Sequence, residues 1–131
     1  MKSKNDTFHI LVIDDDDFLL NSIKKKLELA SYKVTTSNNV HDAYFKLGII
    51  KPDLIMLDVI MPDINGIEFM SMIKSQFSGN HVPVMLMSYL PKKELYGMGY
   101  SIGNTHYLTK PFNVNNLPIM LRKFRSQLNV S

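Results

Sequence analysis

Five times along this chain a short apolar run rich in β-branched residues gives way to apolar residues spaced three and four apart. A period near two marks a strand and a period near 3.6 marks a helix, so the pattern predicts strands alternating with helices. Phe8-His9-Ile10-Leu11-Val12-Ile13 opens the series, and Leu20, Ile23, Leu27 and Ala30 follow on one helical face. Tyr32-Lys33-Val34-Thr35-Thr36 is the second strand-like run, followed by a stripe of Val40, Ala43, Tyr44 and Leu47 that Asn38 or Asn39 can cap. Leu54-Ile55-Met56-Leu57 runs up to Asp58, and Met61-Pro62-Asp63-Ile64-Asn65-Gly66 has the chemistry of a loop. Ile67, Met70, Ile73 and Phe77 form the next stripe, stopped by Ser78-Gly79-Asn80. Val82-Pro83-Val84-Met85-Leu86-Met87 and Thr105-His106-Tyr107-Leu108 supply the last two strands, and Leu117, Met120, Leu121, Phe124 and Leu128 the most regular helix. Between those strands Leu95, Met98 and Ile102 predict a weaker helix. Gly97 and Gly99 each cost it about 1 kcal/mol relative to alanine, so it is expected to be the least stable element.

Strands that alternate with helices need right-handed parallel crossovers and helices on both sheet faces. The expected fold class is therefore α/β: a doubly wound five-stranded parallel sheet, for which the flavodoxin-like order 2-1-3-4-5 is one common solution. With 131 residues the chain is read as one domain over residues 8–128, between a flexible tail at 1–7 and a short tail at 129–131. No apolar run approaches the roughly 20 residues needed to span a bilayer, and the polar opening is unlike a signal peptide. Cysteine is absent, which excludes disulfides, zinc-thiolate sites and thiol catalysis. A cytoplasmic protein is expected. The net charge is +3, and Glu94 is the last acidic residue, with Lys110, Arg122, Lys123 and Arg125 after it. Three cations on a closing helix read as its solvated face, so direct nucleic-acid binding is not expected.

Ligands in doubly wound sheets bind beyond the carboxyl ends of the strands. There the first strand meets Asp14 and Asp15, the third Asp58, the fourth Ser88 and the fifth Lys110. Singly, each has an ordinary reading: a strand-end aspartate is usually a cap or turn former, and Asp16 or Asp17 caps the first helix. Jointly they mean more. Carboxylates at roughly 4 Å repel by about 4 kcal/mol per pair at an effective dielectric of about 20, so such a cluster takes up protons or holds a cation. Oxygen ligands without histidine or cysteine point to Mg²⁺. Acids, a hard cation, a hydroxyl and a lysine outline a phosphoryl-transfer site.

Three segments carry a resemblance to the response-regulator receiver family of two-component signalling, over nearly the whole chain from Phe8 to about Leu128. They are Leu11-Val12-Ile13-Asp14-Asp15-Asp16, Pro52-Asp53-Leu54-Ile55-Met56-Leu57-Asp58 with Met61-Pro62 and Asn65-Gly66, and Tyr107-Leu108-Thr109-Lys110-Pro111-Phe112. The resemblance implies that Asp58 accepts a phosphoryl group from a histidine kinase or a histidine phosphotransfer protein. It implies Mg²⁺ held directly by Asp15 and Asp58 with the Ile60 carbonyl, and by Asp14 through water. Lys110 would pair with Asp58 and then with the phosphoryl oxygens. Ser88 would move to bind one of those oxygens, Tyr107 would turn inward, and the Lys110–Pro111 peptide would be cis. The face of helix 4, strand 5 and helix 5 would carry the output to a downstream protein or an output domain outside this sequence, and a homodimer through that face is compatible with it. On this reading the chain is no enzyme beyond its own phosphorylation and dephosphorylation.

Tyr89 departs from the family, which usually has a small residue after the serine; it is read as a partial gate over Asp58. Ile60 and Leu90 stand where the family tunes water attack, and both are apolar, which implies slow loss of the phosphoryl group. Two other functions compete. Asp14-x-Asp16 also resembles the haloacid-dehalogenase phosphatases, but these need acids after the lysine and none exists beyond Glu94. A pseudo-receiver, binding partners without phosphorylation, would leave the complete set of Asp14, Asp15, Asp58, Ser88 and Lys110 without a purpose.

Overall fold

The structure, a computed structural model, describes residues 7–76, 82–103 and 105–128. The elements in chain order are β1 (His9–Ile13), α1 (Asp17–Leu29), β2 (Lys33–Ser37), α2 (Val40–Leu47), β3 (Leu54–Asp58), α3 (Gly66–Gln76), β4 (Val84–Ser88), α4 (Lys92–Gly97), β5 (His106–Thr109) and α5 (Leu117–Leu128). A 3₁₀ turn at Val114–Asn116 leads into α5. All five strands are parallel, in the order β2-β1-β3-β4-β5, the common solution expected for this alternation.

Alternate residues of a strand point to opposite faces, and here both faces are covered, which is why the central strands read as unbroken apolar runs. Leu11, Ile13, Ile55, Leu57 and Leu86 face one way and pack with Ala43 and Leu47 of α2, Ile67, Met70 and Ile73 of α3 and Leu95 of α4. Ile10, Val12, Leu54, Met56, Met85 and Met87 face the other way. They pack with Leu20, Ile23 and Leu27 of α1 and Leu117, Leu121 and Phe124 of α5. Full burial of each such side chain stabilises by about 1.5–3 kcal/mol. Among the described residues no helix is long and apolar enough to cross a membrane.

Caps fix the helix starts. Asp16 accepts from the Leu19 N–H at 3.1 Å and Asn39 from the Asp42 N–H at 2.7 Å, choosing between the candidates the sequence offers. Three predicted stripes run short, two of them at helix ends. Ala30 is exposed because it is the cap of α1: the N–H groups of Ser31 and Tyr32 bond to the carbonyls of Glu28 and Leu27, with Ser31 left-handed at φ 72°. Tyr44 lies on the flank of α2 and is exposed. Met98 is exposed because α4 stops at Gly97. Gly99 takes φ 93°, its N–H bonds to the Tyr96 carbonyl and the Tyr100 N–H to that of Leu95, which closes the helix after six residues. Ile102 is still buried, but from the following loop. Phe77 and the predicted stop at Ser78-Gly79-Asn80, the first six residues and residues 129–131 lie outside the described residues.

Candidate functional site

The parallel sheet carries the ends of β1, β3, β4 and β5 to one rim, and the residues there are buried polar ones. Asp14, Asp58, Ser88 and Lys110 are all buried, whereas Asp15 is exposed. One carboxylate oxygen from each of Asp14, Asp15 and Asp58 lies within 4.8 Å of the others, a set that can hold a metal ion. The Lys110 ammonium reaches across from β5, 2.5 Å from Asp14 Oδ2 and 3.5 Å from Asp58 Oδ1. Lysine therefore sits on Asp14 more closely than on Asp58, the partner the family resemblance names.

Backbone contacts hold this arrangement. Asp14 is fixed from both sides, its N–H donating to the Ser37 carbonyl at 3.1 Å and its Oδ1 accepting from the Asp16 N–H at 2.9 Å. The Ile60 N–H donates to Asp58 Oδ1 at 3.3 Å. Lys110 is tied to β4 through its N–H, which donates to the Ser88 carbonyl at 2.7 Å, and its peptide bond to Pro111 is cis. Gly66 shows the tightest packing. A Cβ there would stand 2.2 Å from the Asp58 carbonyl oxygen and 2.8 Å from Val59 Cα, so only glycine lets α3 start against the end of β3. Its N–H donates to the Val59 carbonyl at 2.7 Å. The Asn65-Gly66 pair signals a turn in sequence; that it seats Asp58 is visible only once the strand end is in place.

The electrostatics follow. Burial first, then the charge of Asp14, push Asp58 from 3.8 up to about 7, against the opposing pull of Lys110 and the Ile60 N–H. For Lys110 burial favours the neutral amine. The hydrogen bond to Asp14 and the charges of Asp58 and Asp14 outweigh it and hold the group above its ordinary value. Three carboxylates against one ammonium leave the site short of positive charge, which is the condition a divalent cation satisfies.

Ser88 Oγ accepts from the Leu90 N–H at 3.1 Å, and the Tyr107 hydroxyl donates to the Leu90 carbonyl. The peptide groups of one residue thus join the serine hydroxyl to Tyr107, whose ring is half-buried against the core. That link is invisible in sequence because it runs through backbone atoms. Tyr89 is 67 % exposed, and Lys110 Nζ lies 5.4 Å from its ring centroid, so the ring stands at the mouth of the site. Ile60 is exposed and Leu90 half-buried.

A parallel sheet in this order, with acids, a hydroxyl and a lysine gathered at one rim, is a doubly wound α/β domain with a polar site at its strand ends, and comparison with known proteins gives its family. The family model for the response regulator receiver domain matches residues 10–122, and the chain belongs to that family. It is similar to the transcriptional regulatory protein KdpE of Staphylococcus aureus, 34% identical over 113 residues that cover 86% of this chain and 48% of that protein. It is also similar to the alkaline phosphatase synthesis transcriptional regulatory protein PhoP of Bacillus subtilis, 32% identical over 79% of this chain and 42% of that protein. The chain thus spans about half the length of the curated relatives it matches. Among solved structures, the chemotaxis protein CheY4 of Vibrio cholerae superposes with a TM-score of 0.79 at 27% identity, covering 90% of this chain and 98% of that one.

Proposed function

We propose that this chain is a phosphorylation-dependent switch that accepts a phosphoryl group on Asp58 from a phosphohistidine of a histidine kinase or phosphotransfer protein. The observation that carries the reading is Asp58 itself: a buried carboxylate within 4.8 Å of two more, faced by one lysine. Packing alone gives no reason to bury this set.

An Asp58 carboxylate oxygen attacks phosphorus, the P–N bond breaks as the O–P bond forms, and the imidazole nitrogen leaves with its electron pair. Asp15 and Asp58 would hold Mg²⁺ with the Ile60 carbonyl, and Asp14 through water; the ion supplies charge neutralisation for the transferring oxygens. Lys110 neutralises a further oxygen and Ser88 donates to one. When Ser88 turns to do so, its bond to the Leu90 N–H is given up, and Leu90 is also the acceptor for Tyr107. A two-state shift of β4, β5 and α4 then follows from one added charge. A cytoplasmic setting, and a downstream protein or output domain as reader, belong to the same proposal. So does the absence of any catalysis beyond self-phosphorylation and dephosphorylation.

Incubation with acetyl phosphate and Mg²⁺ followed by intact mass tests it, beside Asp58→Asn. An added phosphoryl mass on the wild type alone is expected, with a lifetime longer than seconds because Ile60 and Leu90 offer no polar group to an attacking water. No adduct on either protein would sink the reading and favour an interaction module without phosphorylation.

A further inference from the structure

We infer that Asp42, in the first turn of α2, is a positioning residue of the acidic site: through Ser37 it fixes where Asp14 stands, and so sets the affinity of the three carboxylates for a divalent cation. The inference rests on the cation site of the switch reading above and names a residue outside that site that tunes it.

Among the described residues β2 pairs only with β1, so no strand holds its outer side. The carbonyl of Ser37, the last residue of β2, takes the Asp14 N–H at 3.1 Å. The carbonyl of Thr36, one residue earlier, is turned by the ladder to the free edge. One carboxylate of α2 secures both residues. Ser37 Oγ donates to Asp42 Oδ2 at 2.6 Å, with the Asn39 carbonyl further off at 3.1 Å. Lys46, one turn along α2, lies 2.8 Å from the same Oδ2 and donates to the Thr36 carbonyl at 2.7 Å. The bonds from Lys46 and then from Ser37 hold the Asp42 carboxyl below its ordinary value.

The turn from β2 into α2 also reaches the far end of the acidic segment. Asn38 Nδ2 donates to Asp17 Oδ1 at 3.1 Å, and Asn39 Oδ1 accepts the Asp42 N–H at 2.7 Å. Segment 14–17 is thus braced from this one corner at Asp14 and at Asp17. An i,i+4 pair on a helix surface, taken alone, does little. Here the pair is joined to Ser37, which is 3 % exposed and carries the main-chain acceptor for Asp14. Mg²⁺ demands near-ideal octahedral geometry, so a small shift of one carboxylate lowers affinity whether the group binds directly or through water. Groups that orient ligands are therefore felt by the ion although they never touch it.

The test measures the Mg²⁺ dissociation constant of the unphosphorylated protein by calorimetry and hydrogen exchange of the Asp14 amide by ¹⁵N NMR. Asp42→Ala and Ser37→Ala are each expected to raise the dissociation constant about threefold or more and to speed exchange of that amide about tenfold. The loss in affinity is smaller than the roughly 10–100-fold typical of a group bonded to the ligand itself, because Asp42 acts through main chain. Asp42→Ala/Ser37→Ala is expected to lose no more than the larger single loss, since both remove the same bond. Glu28→Ala takes the same charge from the exposed end of α1 and is expected to change neither quantity. Phosphorylation of Asp42→Ala by acetyl phosphate is expected to be slow at limiting Mg²⁺ and to match the wild type at saturating Mg²⁺. An unchanged Mg²⁺ affinity in Asp42→Ala, an equal loss in Glu28→Ala, losses that add in the double variant, or a slow rate that saturating Mg²⁺ does not restore overturns the inference. Should any of these accompany a phosphoryl adduct on the wild type, this inference falls alone. Affinities and exchange rates that follow the expected pattern, with no adduct on the wild type, would sink the phosphorylation reading alone.

Discussion

Replacing Asp58 by asparagine removes a charge that the folded state holds at a cost, and the pH dependence of that cost can be worked out. In the unfolded chain the carboxyl ionises near 3.8, whereas in the fold it keeps its proton up to about 7. Between those values the folded state binds more protons, so stability falls as pH rises from about 4 to 7, and the full penalty applies above 7. Three units at about 1.4 kcal/mol each give about 4 kcal/mol as an upper bound. The substitution strands no partner, since Lys110 keeps Asp14 at 2.5 Å. In urea unfolding without Mg²⁺, Asp58→Asn is expected to exceed the wild type by about 2–4 kcal/mol at pH 8 and to match it near pH 4. Adding Mg²⁺ at pH 8 narrows the gap, because binding to the native wild type stabilises it. Equal stabilities at pH 8, or a gap of the same size at both pH values, would refute the electrostatic account of the site.

Lys110→Met leaves the fully buried Asp14 without its cation and is expected to cost about 3–5 kcal/mol, of which Asp14→Asn in the same chain restores part; a loss under about 1 kcal/mol in urea unfolding contradicts the pairing. Gly66→Ala puts a methyl 2.2 Å from the Asp58 carbonyl oxygen, so α3 or the strand end must move. A loss of about 1–3 kcal/mol and slower phosphorylation are expected, and an unchanged rate would show that Gly66 does not seat Asp58. Tyr89→Ala opens the mouth beside Lys110 and is expected to speed phosphorylation by acetyl phosphate severalfold, with Tyr89→Phe near the wild type; equal rates for all three remove the gate.

The sheet order and the rim residues were legible because both rest on long-range regularities of sequence. A run such as Leu54-Ile55-Met56-Leu57 is apolar throughout only when both faces are covered, and the topology then places whatever follows each strand at the same rim. Helix ends were less legible. Nothing in the spacing of Leu95, Met98 and Ile102 tells that Gly99 adopts a left-handed φ and ends α4 at Gly97, since glycine tolerates either conformation. Tyr44 fits the apolar stripe of α2 by spacing alone, and its exposure depends on how the helix is rolled on the sheet. Contacts made by backbone atoms, such as those joining Ser88 and Tyr107 to Leu90, carry no sequence signal at all.

The burial of Asp58 links the stability of the fold to its chemistry. Burial first, then the charge of Asp14, hold Asp58 up at about 7 against the pull of Lys110, and a protonated carboxyl is a poor nucleophile. A cation at the three carboxylates favours the ionised form, so the group that relieves the strain on the fold also frees the attacking oxygen. The two equilibria must then be coupled: Asp58 should titrate lower as Mg²⁺ rises. The rate of phosphorylation by acetyl phosphate is expected to climb with pH through a midpoint near 7 at limiting Mg²⁺, and that midpoint is expected to fall by about one unit or more at saturating Mg²⁺. A midpoint independent of Mg²⁺ would mean that ion and proton do not compete at Asp58, and the three carboxylates would need another explanation for being brought together.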